Sequence, residues 1–185
     1  MIMKTLRIIS FLVLFTLFCN EKKTTDFQKF CAEIPVLQLP FFADCNNLNN
    51  IPELSFSSPL DNRRPAAYLI GRVFSDLQFF SLIYIYVADA NFPSIFTFTL
   101  DGKPIDTLMV VGLCFSNAYG VTQTFSARID QNKTISIIDT VKSYELNSQE
   151  NEIPNSETIL IRTNQYQLID AGEFILISKD EIKLY

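Results

Sequence analysis

Between Tyr68 and Ser178 the chain is a succession of short runs rich in Val, Ile, Phe, Tyr and Thr, many of them separated by connectors of only a few residues. Such connectors decide the topology, because neighbouring parallel strands need a crossover of about a dozen residues whereas antiparallel neighbours need only a turn. In Leu100-Asp101-Gly102-Lys103 the glycine can take the positive φ of a hairpin turn, and Asp130-Gln131-Asn132-Lys133 and Asp170-Ala171-Gly172 read the same way. The expected strands are 68–74, 79–87, 95–100, 106–113, 122–129, 134–144, 158–162, 166–169 and 173–178. They predict an all-β domain over 67–185, a single antiparallel meander built as an open barrel or sandwich-like.

Side-chain alternation assigns faces to these strands. Phe96, Phe98 and Leu100 alternate with Thr97 and Thr99, and Phe125, Ala127 and Ile129 alternate with Thr124, Ser126 and Arg128, so one face of each is expected in the core and the other in water. Phe79 to Val87 is apolar on both sides and reads as the most buried, central strand. Phe80, Tyr84 and Tyr86 recur along one side of it. Tyrosine combines a flat apolar body with a polar tip, which makes these three the candidate surface for a glycan or peptide, although such stripes ordinarily belong to a core. Glu145 to Glu157 holds four Glu and no basic residue and is expected to be an exposed loop.

Before the β region, Pro35, Pro40, Pro52, Pro59 and Pro65 interrupt residues 19–66, which predicts an irregular, proline-rich lead-in packed on the domain. A short helix fits 26–33, capped by Thr25 or Asp26, with Phe27, Phe30 and Cys31 on one side. Further upstream, Lys4 and Arg7 precede the apolar run Ile8–Phe18, which is too short to span a hydrocarbon core of about 30 Å comfortably and reads as a signal peptide over 1–18. Cys19 follows, and then the polar stretch Asn20-Glu21-Lys22-Lys23. This arrangement resembles a bacterial lipoprotein signal, with Phe18 standing where a small residue is usual. The resemblance implies lipidation of Cys19, a membrane partner through that lipid anchor, and residence in the cell envelope.

Composition removes several chemistries. The chain has no histidine, so imidazole bases and ligands are excluded, and a net charge of -5 makes nucleic acid a poor partner. No metal and no cofactor are expected. Beyond Cys19 there remain Cys31, Cys45 and Cys114. A Cys31–Cys45 bridge would pin the lead-in while Cys114 stays reduced as a small buried hydrophobe; the alternative sets Cys114 against one of the other two. Glycan hydrolysis by paired carboxylates has candidates in Asp89, Asp101, Asp106, Asp130, Asp139 and Asp170, most of them at expected turns or strand ends, where Asp commonly caps its own backbone. No catalytic residue is assigned. The leading expectation is a lipid-anchored, non-enzymatic binding or structural module with a protein or glycan partner. The rivals are an envelope glycan hydrolase and a protein that pairs an exposed sheet edge with another chain.

Overall fold

The computed structural model describes residues 24–45, 67–87, 91–110, 114–118 and 120–185. Cys19 and the signal segment lie outside the described residues, as does Asp89. Among the described residues the architecture is all-β, with two antiparallel sheets and one helix. The helix, α1 (Asp26–Glu33), starts where a capping box predicts. Thr25 Oγ1 accepts the Gln28 N–H at 3.1 Å, and Gln28 Oε1 accepts the Thr25 N–H at 2.8 Å.

Sheet A runs β2 (Ala67–Ser75), β3 (Phe79–Val87), β4 (Asn91–Thr99) and β5 (Pro104–Met109), each paired to the next in chain order. Sheet B has the order β1 (Phe41–Asp44), β7 (Val121–Ile129), β8 (Thr134–Ser143), β9 (Thr158–Leu168) and β10 (Phe174–Leu184), with β6 (Phe115–Ala118) also paired to β7. The domain is therefore two packed meanders in a sandwich-like arrangement. Between the sheets, Phe79, Ile83, Ile85 and Ile95 of sheet A meet Phe125, Ile129, Ile135 and Ile137 of sheet B. On its other face sheet A is covered by α1, whose Phe27 and Cys31 pack with Leu82, Tyr84, Phe96 and Phe98. This second cover explains why β3 is apolar on both sides: its described side chains from Ser81 to Ile85 are all buried.

Four details differ from the sequence reading. Thr97 is not on a wet face but fully buried, because both faces of sheet A are covered. Its hydroxyl donates to Gly172 O at 2.6 Å and accepts the Asp106 N–H at 3.1 Å, and these bonds satisfy the buried oxygen. The lead-in is more regular than its prolines suggest. Leu37 N–H donates to Arg72 O, Arg72 N–H donates to Pro35 O, and β1 joins sheet B just after Pro40. A Cβ on Gly71 would stand 2.5 Å from Leu37 Cγ, so glycine is what allows the lead-in this close. Residues 158–169, expected as two strands, form the single β9, because Thr163-Asn164-Gln165 pairs in register with Ser136-Ile137-Ile138 and no turn intervenes. Finally, β10 continues past Ser178 through Lys179-Asp180-Glu181 to Leu184, an edge position where charged side chains stay hydrated while the backbone pairs with β9.

The disulfide is the largest correction. Cys45 bonds Cys114, with Cα atoms 5.5 Å apart, and Cys31 is free and buried. Cys31 belongs to α1 and packs on one face of sheet A, whereas Cys45 follows β1 at the edge of sheet B. Along β7, β1 pairs with 126–129 and β6 with 121–123, so Cys45 and Cys114 fall in the gap between two half-strands that share one edge. The bridge joins them end to end, and Phe125 N–H donates to Cys45 Sγ at 3.4 Å.

Candidate interaction surface

Two of the three aromatic candidates, Phe80 and Tyr84, are turned into the core rather than offered as a surface. Tyr84 is only 2% exposed, its ring edge-on to Phe96 at 5.6 Å, and Phe80 is half-buried against Phe27 of α1. Both serve the packing of the helix on sheet A. The Tyr86 side chain lies outside the described residues.

The described carboxylate candidates are engaged in turns and ladders. Asp101 is held by the Thr99 hydroxyl and by Lys103, which keep it below the ordinary carboxylate range. Asp106 accepts the Thr107 N–H at 2.7 Å and the Phe174 N–H at 2.9 Å, tying the start of β10 to β5. Asp130 accepts from Arg128 Nε at 2.8 Å, and Asp170 accepts from Lys133 Nζ at 3.0 Å. Asp139 sits within a cross-strand row described below. Among the described residues no group of three or more Cys, Asp or Glu is placed to hold a metal ion. Burial pushes the Cys31 thiol up to about 12, against a smaller opposing pull from Arg72, so it stays protonated at neutral pH.

What remains open to a partner is the β9–β10 hairpin. β10 ends sheet B, and among the described residues no strand pairs with its outer edge. Ile175, Ile182 and Leu184 are 47%, 55% and 48% exposed. A register shift between Leu176 and Ser178 leaves Ile177 as a bulge. Beyond it, Lys179, Glu181 and Lys183 lie opposite Asn164, Arg162 and Leu160, while Asp180, Ile182 and Leu184 lie opposite Thr163, Ile161 and Ile159 on the other face.

A row of polar side chains crosses sheet B and ends at this edge. Gln123 Nε2 donates to Asp139 Oδ1 at 2.8 Å, Asp139 faces an Arg162 guanidinium nitrogen at 3.7 Å, and Arg162 Nε donates to Glu181 Oε2 at 3.0 Å. Register explains the alignment, since Asp139 is paired with Arg162 and Arg162 with Glu181. No family model, curated protein or solved structure matches this chain. The surface is thus read from its own geometry. Sequence reasoning missed it by ending the last strand at Ser178. The signal was the alternation of Glu181 and Lys183 with Ile182 and Leu184, which has the period of a strand.

Proposed function

We propose that this is an exported, lipid-anchored protein of the bacterial cell envelope, tethered through Cys19, whose β domain is a non-enzymatic module that binds a protein partner along the β10 edge. The observation that carries the binding reading is that edge: unpaired among the described residues on its outer side, and carrying Ile175, Ile182 and Leu184 exposed, with Ile182 set between Glu181 and Lys183. Strand addition suits such an edge, because main-chain hydrogen bonds supply affinity and alternate side chains supply selectivity. The anchor reading rests on the sequence, namely Lys4 and Arg7, the short apolar run and Cys19 followed by a polar stretch. Only residues 20–25 separate Cys19 from α1, a reach of about 20 Å when extended, so the domain would stand close to the membrane. Glycan hydrolysis has no comparable support, since the described candidate carboxylates are tied to amides, hydroxyls and bases.

Intact mass of the protein extracted from membranes tests the anchor. The expected species begins at Cys19, carries acyl chains and contains one disulfide. Cys19→Ala should leave the membrane fraction or accumulate as precursor. An unmodified mass, with the variant still in membranes, would overturn the reading.

A further inference from the structure

We propose that the occupant of the β10 edge is β10 of a second copy of this chain, paired antiparallel about Ile182 so that sheet B continues from one molecule into the next. This deepens the reading of β10 as the binding surface and rests on it.

The argument begins with the polar row. Its charges alternate as Asp139, Arg162 and Glu181, and it stops at the edge on a carboxylate. The next position outward calls for a cation. A two-fold axis normal to the sheet keeps each face on its own side, so opposed residues must come from the same face of β10. Lys183 shares the face of Glu181, and among the described residues it makes no ion pair, its ammonium lying 4.9 Å from the centre of the Tyr185 ring. With Ile182 on the axis, Glu181 of each copy faces Lys183 of the other, and the row continues with alternating sign. Ile182 meets its own copy at the centre, covering an apolar side chain that is otherwise more than half exposed.

Neighbouring registers fail on charge. Centring on Asp180, Glu181 or Lys183 sets that residue against itself, and the Glu181-centred register also sets Lys179 against Lys183. Like charges directly opposed across strands are destabilising. Ile182 is therefore the only centre from 180 to 183 without a like-charge clash. The Ile177 bulge bends the strand before this segment and limits straight pairing to the residues after it. These features favour one defined dimer over open-ended edge association.

Charge exchange tests the register on the full-length chain extracted in detergent, with two differently tagged copies expressed together. Wild-type chains should capture one another. Glu181→Lys chains should capture their own kind about tenfold less well, because two attractive pairs become two repulsive ones, and Lys183→Glu chains likewise. Mixing the two variants should restore capture, since each Lys then faces a Glu, and this recovery also shows that both variants fold. Capture that ignores the charge pattern, or a mixture that does not recover, overturns the proposal. So does a wild-type chain that does not self-associate. In that case amide exchange over 179–184 in native membranes separates the readings: protected amides indicate a foreign strand on the edge, and open amides overturn the edge reading as well.

Discussion

Lys133 lies in the β7–β8 turn, where the sequence suggests a solvated side chain whose loss would hardly register. The structure uses it as a clasp. Its φ of 65° turns the chain, its carbonyl accepts the Leu168 N–H, and its ammonium bonds Asp76 and Asp170 from two other hairpin turns while lying 5.4 Å from the Phe79 ring centre. The hydrogen bond to Asp170 foremost raises the Lys133 pKa, and the hydrogen bond from Lys133 lowers that of Asp76. Lys133→Ala should therefore cost about 1 kcal/mol, mostly from the cation over the ring and the packing of its stem, since the exposed carboxylates contribute little. The signs give a pH window. The Asp76 contribution is complete above its ordinary value of 3.8 and is lost as pH falls through the lowered folded value; the Lys133 contribution is complete below 10.5 and is lost as pH rises through the raised one. Denaturant unfolding of wild type and variant should show a constant gap near neutrality that narrows at both extremes. A gap of zero at pH 7 would return Lys133 to the solvated reading.

At the scale of the element, the edge of β7 is shared by two half-strands, β1 and β6, from distant parts of the chain. Neither is long enough to be stable alone, and the Cys45–Cys114 bridge at their junction closes a loop with a sequence separation of 69 residues. In the chain-entropy model such a loop is worth roughly 4 kcal/mol. The double substitution Cys45→Ser and Cys114→Ser should lower stability by about that amount and raise amide exchange in β1 and β6 before the rest of sheet B. Cys31→Ser should leave the bridge intact, as thiol counting and peptide mapping under non-reducing conditions would show. A Cys31-containing disulfide in the native protein would refute this arrangement. Elsewhere the elements follow local chemistry closely: Thr25 caps α1, and Gly102 and Gly172 take φ values of 85° and 83° in the expected turns.

Across the whole molecule, stability centres on sheet A, which is buried by sheet B on one face and α1 on the other. Ile83, 1% exposed in the shared core, should cost about 2 to 5 kcal/mol on replacement by Ala, read as a shift of the denaturant midpoint without a change of slope. A loss below about 1 kcal/mol would mean that the sheets do not pack as described. The β9–β10 hairpin is the opposite case. Every β10 residue from Ile182 to Leu184 is exposed, so substitutions there should alter association far more than folding.

Connector length and periodicity by themselves determined the antiparallel connectivity, the bounds of β3, the capped helix and the hairpin turns. These depend on contacts within a few residues, where turn geometry and side-chain alternation act directly. The division into two sheets, the burial of Thr97, the loss of Phe80 and Tyr84 to the core, the Cys45–Cys114 pairing and the row from Gln123 to Glu181 were decided only by tertiary structure. Each depends on which distant segment covers a face or meets an edge. Cys31 and Cys45 are close in sequence, yet α1 carries one beneath sheet A while β1 carries the other to sheet B. The binding edge was hidden for the same reason: Lys179-Asp180-Glu181 has the composition of a loop, and only pairing with β9 makes it a strand with one side unoccupied among the described residues.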